Sequence, residues 1–444
     1  MNNNFSEQIN TLKHKIENLF KRNLQSGRSP IPPYEKYTYI CPDIERYPHQ
    51  WLWDSCFHII VNSKLNLQLA KAEFETLLKC QFENGLIPHM RYWTGKLSFI
   101  DKKIISYYKN SYSSSITQPP LIPQALKEIY NANNDLEFVK KYINKIILYF
   151  DYLYNERVDI GEKVPLLSII HSWESGMDNS PIYDKALNIS GGFLIIKWAK
   201  SLLSQLKVLK ECNWNMDCIR KKDYFVYKDL LFNCVYIQGC RDLALLLKEC
   251  DIKDESERFL KRAKELENLI IKHCWNSEVG LFFGLYGKEN TLDNIKSVSS
   301  LIPLILDGLP LNLASILVED HLLNESEFWT NYPIPSVALD EPSFSNREIL
   351  LWRGPTWINI NWFIHTGLIK HGFIDIAEDL AQKSLKLISK EGFREFYNPI
   401  TGKGMRAKNF GWSALVFDML IPKFNRDLDF LLMGEYRHVK KGPV

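Results

Sequence analysis

LEFVKKYINKIILYFDYLY, residues 136–154, decides the fold class. Leu136, Val139, Ile143, Ile146, Ile147 and Phe150 recur in steps of three and four, so one stripe of a helix is apolar. Lys, Glu and Asn fill much of the rest. A second helix is predicted just before it, at about 120–132, with Pro119-Pro120 suited to its first turn. The pairing repeats along the chain. Residues 6–22 carry Ile9, Leu12, Ile16, Leu19 and Phe20 on one face, and an apolar helix runs from Asp54 through about Val61. A helix at 66–82 ends on Asn84-Gly85, a C-terminal cap signature. Further helices are predicted at 189–207, 225–249, 256–272, twice within 297–322, and at 354–369, 373–389 and 409–420. A Pro- and Tyr-rich connection covers 29–39, and a long loop covers 324–350. Strand signal is confined to a short hairpin at 275–286.

About a dozen helices in consecutive pairs, with a pair roughly every 60 residues, predict an all-α protein. Each hairpin must bury its stripe against its neighbours. Six hairpins closing into a toroid, an (α/α) barrel, would gather alternate loops at one end. No shift of composition divides the chain, so residues 1–444 are expected to form a single domain, with a small polar excursion near 208–224. The chain is 45% hydrophobic, 24% charged and 13% aromatic, with a formal net charge of +3. That charge is too small, and the lysines too scattered, for a nucleic-acid surface. No apolar run of membrane-spanning length stands out, and the first 24 residues lack the apolar core of a signal peptide. Nine cysteines show neither CxxC pairs nor metal-ligand spacing, which predicts free thiols and a cytoplasmic location.

Between two helical segments lies His171-Ser-Trp-Glu-Ser-Gly-Met-Asp-Asn-Ser180. Gly, Asn and Ser punctuate it as a loop, and it carries two acids, Glu174 and Asp178, beside Trp173 and Gly176. A polar loop with an acid and an aromatic face suits carbohydrate cleavage, which needs two carboxyls flanking the bond. Glu395, in Glu391-Gly-Phe-Arg-Glu-Phe-Tyr-Asn-Pro399, is a further candidate in a similar turn-rich setting. Asp54 stands where a helix begins, either as its N-cap or as an acceptor for sugar hydroxyls. Arg353 suits either substrate or a loop-holding carboxylate, and Trp357 either substrate or the core.

Six strings in this order resemble glycoside hydrolase family 63 across about residues 40–420. They are Trp53-Asp-Ser-Cys-Phe, Gly85-Leu-Ile-Pro-His, Gln118-Pro-Pro, the 171–181 string, Trp352-Arg-Gly-Pro-Thr-Trp and Asn409-Phe-Gly-Trp-Ser-Ala-Leu. The short bacterial members, which hydrolyse mannosylglycerate or glucosylglycerate, are similar in length. The resemblance implies an inverting α-glycosidase with an (α/α) barrel, a small carbohydrate substrate and no organic cofactor; the absence of an acid cluster with calcium-loop spacing predicts no metal, and that of a spanning run no membrane partner. The resemblance implies that Asp178 is the general acid, with a raised pKa, and that Glu395 is an ionised general base. It further implies that Tyr47, Trp51, Trp53, Asp54, Gln118, Trp173, Gly176, Arg353 and Trp357 line the sugar subsite, with tryptophan faces on the ring. Glu174 then becomes a supporting or hydroxyl-binding residue. On the leaving-group side Leu351 stands where the family carries Tyr and Lys408 where it carries Gln. An anionic leaving group would pair with Arg220 or Lys408. An exo-acting glucosidase for trehalose-like disaccharides, and a silent carbohydrate-binding barrel, are the alternatives.

Overall fold

The computed structural model describes residues 3–421. The chain enters through α1 (Asn3–Asn23) and then pairs Leu24–Arg28 with Lys36–Ile40 as an antiparallel ribbon, where the sequence predicts an irregular connection. α2 (Leu52–Leu65) and α3 (Leu67–Leu78) form a hairpin, and a short α4 (Phe99–Ile105), capped by Ser98 and Asp101, sits in the loop that follows. α5 (Ile122–Asn133) turns through Asn134, whose backbone is left-handed at φ +52°, into α6 (Leu136–Arg157). Asp135 caps α6 by accepting from Phe138 N.

The 208–224 excursion is more helical than expected, because α7 (Leu194–Glu211) runs into it and α8 (Met216–Lys222) fills its end. Cys212 and Cys218 are joined there by a disulfide, which corrects the expectation of free thiols throughout; the other seven cysteines are free. The turn between α7 and α8 brings the two Cα atoms within 5.5 Å, close enough to bridge. α9 (Leu230–Glu249) and α10 (Lys253–His273) form the next hairpin. A 3₁₀ run, Val298–Ile305, then leads to α11 (Leu311–Ser315), continued by π-turns over Ile316–Leu322. α12 (Ile358–Lys370), α13 (Ile374–Glu391) and a 3₁₀ turn, Gly411–Leu415, leading into α14 (Val416–Leu420) complete the set.

α2, α5, α9, the Val298–Ile305 run, α12 and the Gly411–Leu420 run touch in that order, and the last returns to α2. This is a closed inner ring. α3, α6, α10, the α11 segment, α13 and α1 back it from outside, so six hairpins close an (α/α) barrel. The two layers need different helices. α6, in the outer layer, buries Val139, Ile143, Ile146, Phe150 and Leu153 along its stripe, each contributing about 1.5–3 kcal/mol of apolar transfer. α9, in the inner layer, is largely apolar around its circumference, with Arg241 and Asp242 held in ion pairs. Its mean hydropathy of 1.4 over 18 residues gives it the length and composition of a membrane span, yet it carries those two charges and 83% of that window is buried inside the chain. A helix apolar all round belongs in a core.

The N-terminal ends of the inner helices share one rim. Backbone bridges stitch the loops there: Gly411 N donates to Pro42 O at 2.8 Å, Thr356 pairs with Tyr397, and Ile169 pairs with Tyr227.

Candidate active site

On that rim the 171–180 loop folds as a 3₁₀ turn, Ser172–Ser175, with the His171 ring accepting from Trp173 N. Gly176 ends the turn at φ +74°, and a Cβ there would overlap the Trp53 indole. Both facts require glycine. Glu174 is fully buried. It accepts from Arg157 Nη1 and Nη2 at 2.8 and 2.7 Å, from Thr117 N at 3.1 Å and from Ile170 N at 2.8 Å. All its acceptor capacity is used inside the wall, so it binds no substrate hydroxyl. Asn179 donates to Leu350 O at 3.0 Å on the far side of Asp178. Asp178 is thus pinned on both flanks. Burial pushes its carboxyl up to about 6, against the pull of Arg406 and of its own backbone.

Glu395 comes from the opposite side of the ring. A ribbon pairs Phe396 with Met405 and Tyr397 with Gly404, and the same register sets Arg406 opposite Glu395. Tyr47 Oη donates to Glu395 Oε1 at 3.0 Å, and Arg406 Nε lies 3.2 Å from Oε2 and 3.0 Å from Tyr47 Oη. Burial raises Glu395 to about 7. Arg406, Tyr47 and the Ala407 N–H pull it down, and the charge of Asp178 pushes it further up. The structure therefore raises both carboxyls, where the sequence reading expected only Asp178 to rise. Protonating Asp178 removes its push on Glu395. The two donors on Glu395 then favour the carboxylate there.

Asp54 lies in the first turn of α2. The N-cap position belongs to Trp51, and no side chain caps it. Asp54 is buried, its Oδ1 has no hydrogen-bond partner among the described residues, and burial raises its carboxyl to about 7. A buried, unpartnered acceptor is costly unless a ligand satisfies it. Gln118 Oε1 accepts from Trp53 N at 3.3 Å and so satisfies an end of α2.

The tryptophans divide by exposure. Trp51 and Trp173 are partly exposed, and the His89 ring lies between them at 5.2 and 6.1 Å. Trp53 and Trp357 are buried. Trp53 packs on Trp412, and Trp357 stacks face to face on Trp352 at 3.7 Å. Neither offers a free face for a sugar, which corrects the expected stacking. Trp357 does retain an unpartnered indole N–H.

Three expected cations have other tasks. Arg353 forms a bidentate pair with Asp184, at 2.8 and 2.5 Å, and holds the loops together. Arg220, on α8, donates to Glu156 O and Val158 O and pairs with Asp159 and Asp217. It closes the end of α6 and lines a cleft that contains none of the other site residues. Lys408 is exposed, and its neighbour Arg406 is the cation that turns inward. Arg406, His89 and Arg157 are the residues that the sequence reading did not single out. A signal for Arg406 was present: Glu395 and Arg406 are equidistant from the turn closed by Asn398 and Lys403, as cross-strand partners must be. Among the described residues no group of three His, Cys, Asp or Glu side chains is placed to hold a metal ion.

Gly176→Ala should lower stability by about 1–3 kcal/mol from the left-handed backbone alone and lower turnover at least about tenfold by moving the Asp178 loop. Thermal unfolding and an activity assay check both effects.

The family described as the mannosylglycerate hydrolase MGH1-like glycoside hydrolase domain matches residues 47–413. The mannosylglycerate hydrolase of Rubrobacter radiotolerans is 27% identical over 415 residues, spanning 86% of this chain and 93% of that one. The glucosylglycerate hydrolase of Mycolicibacterium hassiacum is 25% identical over 421 residues, spanning 83% and 90%. The crystal structure of the GH63 mannosylglycerate hydrolase from Thermus thermophilus in complex with Tris and D-glycerate superposes with a TM-score of 0.79 at 26% identity, covering 92% of this chain and 99% of that one. A rim that carries two carboxyls, both raised by burial, and a family match across nearly the whole barrel lead to one conclusion: this chain is a glycoside hydrolase and belongs to the MGH1-like family.

Proposed function

We propose that the enzyme hydrolyses the α-glycosidic bond of mannosylglycerate or glucosylglycerate with inversion, Asp178 acting as general acid and Glu395 as general base. The observation that carries this is the pair itself: two carboxyls from opposite sides of the ring, both lifted by burial, with the side-chain donors Tyr47 and Arg406 on Glu395. Asp178 gives its proton to the glycosidic oxygen as the bond to the anomeric carbon breaks. A water attacks that carbon from the opposite face and gives its proton to Glu395. The products are the free aglycone and a sugar of inverted configuration. Asp178 is left ionised and Glu395 protonated, and exchange with solvent resets both. Trp51 and Trp173 supply partly exposed faces for the sugar, and the orphan acceptor of Asp54 suits one of its hydroxyls.

The glycerate assignment rests on the relatives' substrates and on the D-glycerate bound by the Thermus enzyme. A second reading, an exo-acting glucosidase for an uncharged disaccharide such as trehalose, is favoured by one feature. Arg220 is tied to α6 and Lys408 is exposed, so neither cation expected to meet a carboxylate is committed to the site. A hydrolysis panel of mannosylglycerate, glucosylglycerate, trehalose and nitrophenyl α-glycosides decides between them. Glycerate substrates should lead by at least about tenfold in kcat/KM, equivalent to about 1.4 kcal/mol. Preference for trehalose would establish the second reading.

A further inference from the structure

We infer that Arg406 is the shared counter-ion of the carboxyl pair, a positioning residue whose single guanidinium orients Tyr47 against Glu395. The inference rests on the roles proposed above for Asp178 and Glu395. Three guanidinium groups stand around the site loops. Arg157 is neutralised by Glu174 and Arg353 by Asp184, each through a bidentate pair. Arg406 has no carboxylate to itself. Its Nε reaches both Glu395 Oε2, at 3.2 Å, and Tyr47 Oη, at 3.0 Å, while Tyr47 Oη donates to the other oxygen of Glu395. The three groups close a triangle that fixes the Glu395 carboxyl plane.

The same guanidinium acts on Asp178 as well as on Glu395. Its side chain is 27% exposed, so it sits at the edge of the site and not beneath it. With one proton between the two acids, the Asp178–Glu395–Arg406 set is electrically neutral, and the mechanism requires that proton on Asp178. A second proton, or none, leaves a net charge in a largely enclosed site, which is unfavourable. The other ionisable groups facing Glu395 are Tyr47 and Asp178, with Asp54 nearby on α2. The adjacent Arg394 turns away to Glu391. The backbone of Arg406 is left-handed, φ +59°, a conformation that glycine adopts more readily. The residue therefore sits where the backbone alone would prefer another.

The test is the pH profile of kcat/KM for mannosylglycerate, or for glucosylglycerate if that is turned over faster, in R406Q, R406K, R406G and Y47F, with thermal melts of each. R406G relieves the left-handed backbone, which offsets part of the lost ion pair, and its melt set beside that of R406Q separates charge from folding. R406Q and R406G should lower kcat at least about tenfold and move both limbs of the profile upward by about one pH unit, because each carboxyl loses the same cation. R406K should move them less. Y47F should move the profile upward by less than R406Q does, because of the two acids Tyr47 bonds only Glu395. Unshifted limbs in R406Q and R406G, with or without loss of rate, would overturn the inference. If E395Q and D178N are inactive in the same assay while those limbs stay fixed, this inference fails alone. An active E395Q would sink the roles beneath it.

Discussion

Asp178→Asn should lower kcat for mannosylglycerate by about 10²–10⁴-fold, with an unchanged far-UV circular dichroism spectrum. Asn matches Asp in shape but has no proton to give, and the flanking anchors at Gly176 and Asn179 do not depend on the carboxyl. The loss should depend on the leaving group. A nitrophenolate departs without a proton, so a nitrophenyl α-glycoside should be cleaved by D178N far closer to the wild-type rate. Glu395→Gln should fall by a similar factor on every substrate, because water must be deprotonated whatever leaves. Equal losses for D178N on both substrate types would remove Asp178 from the acid role.

The pair also sets the pH dependence. With Asp178 near 6 and Glu395 near 7, the singly protonated pair is most populated between those values. Below about 6 both acids gain protons and the base is lost, and above about 7 both ionise and the acid is lost. kcat/KM should therefore be bell-shaped, with a maximum between about pH 6 and 7. The two limbs report the pair and not one residue each.

Glu174→Gln should be among the most destabilising single changes on the rim, by about 3–5 kcal/mol. The side chains of Arg157 and Glu174 are only 2% and 0% exposed. Removing one charge leaves the other buried without compensation, and the Thr117 and Ile170 amides lose a strong acceptor. Turnover should fall too, because Glu174 anchors the loop whose next acid is Asp178. Replacing both partners, Arg157→Met with Glu174→Leu, should recover much of the stability, since it removes the stranded charge. Denaturant midpoints measure all three proteins, and an unchanged midpoint in E174Q would show that the pair does not hold the loop.

The hairpins were legible because an amphipathic stripe is a local property. Val139 to Leu153 repeats at helical spacing whatever the chain does elsewhere. Ring closure was legible only as a count of pairs. The outer partner of the last inner helix is α1, at the other end of the chain, and no local pattern links Phe20 to α14. Within the site, acids in turn-rich strings could be read and their partners could not. Glu174 and Asp178 look alike in the sequence. The structure separates them because Arg157, 17 residues upstream of Glu174, ends its helix beneath one and not the other. Trp53 and Trp51 are two residues apart and equally aromatic, yet α2 buries the first under Gly176 and leaves the second at the rim. Lys408 occupies the motif position, and Arg406 carries no motif to mark it. The ribbon register turns Arg406 inward and leaves Lys408 exposed.

The central claim is that two carboxyls facing each other across a closed helical ring act on opposite faces of one anomeric carbon. Proton NMR of the first sugar released from mannosylglycerate, recorded before mutarotation, tests it most directly. The account predicts β-mannose as the initial product, relaxing later towards the equilibrium mixture. α-Mannose appearing first would contradict it.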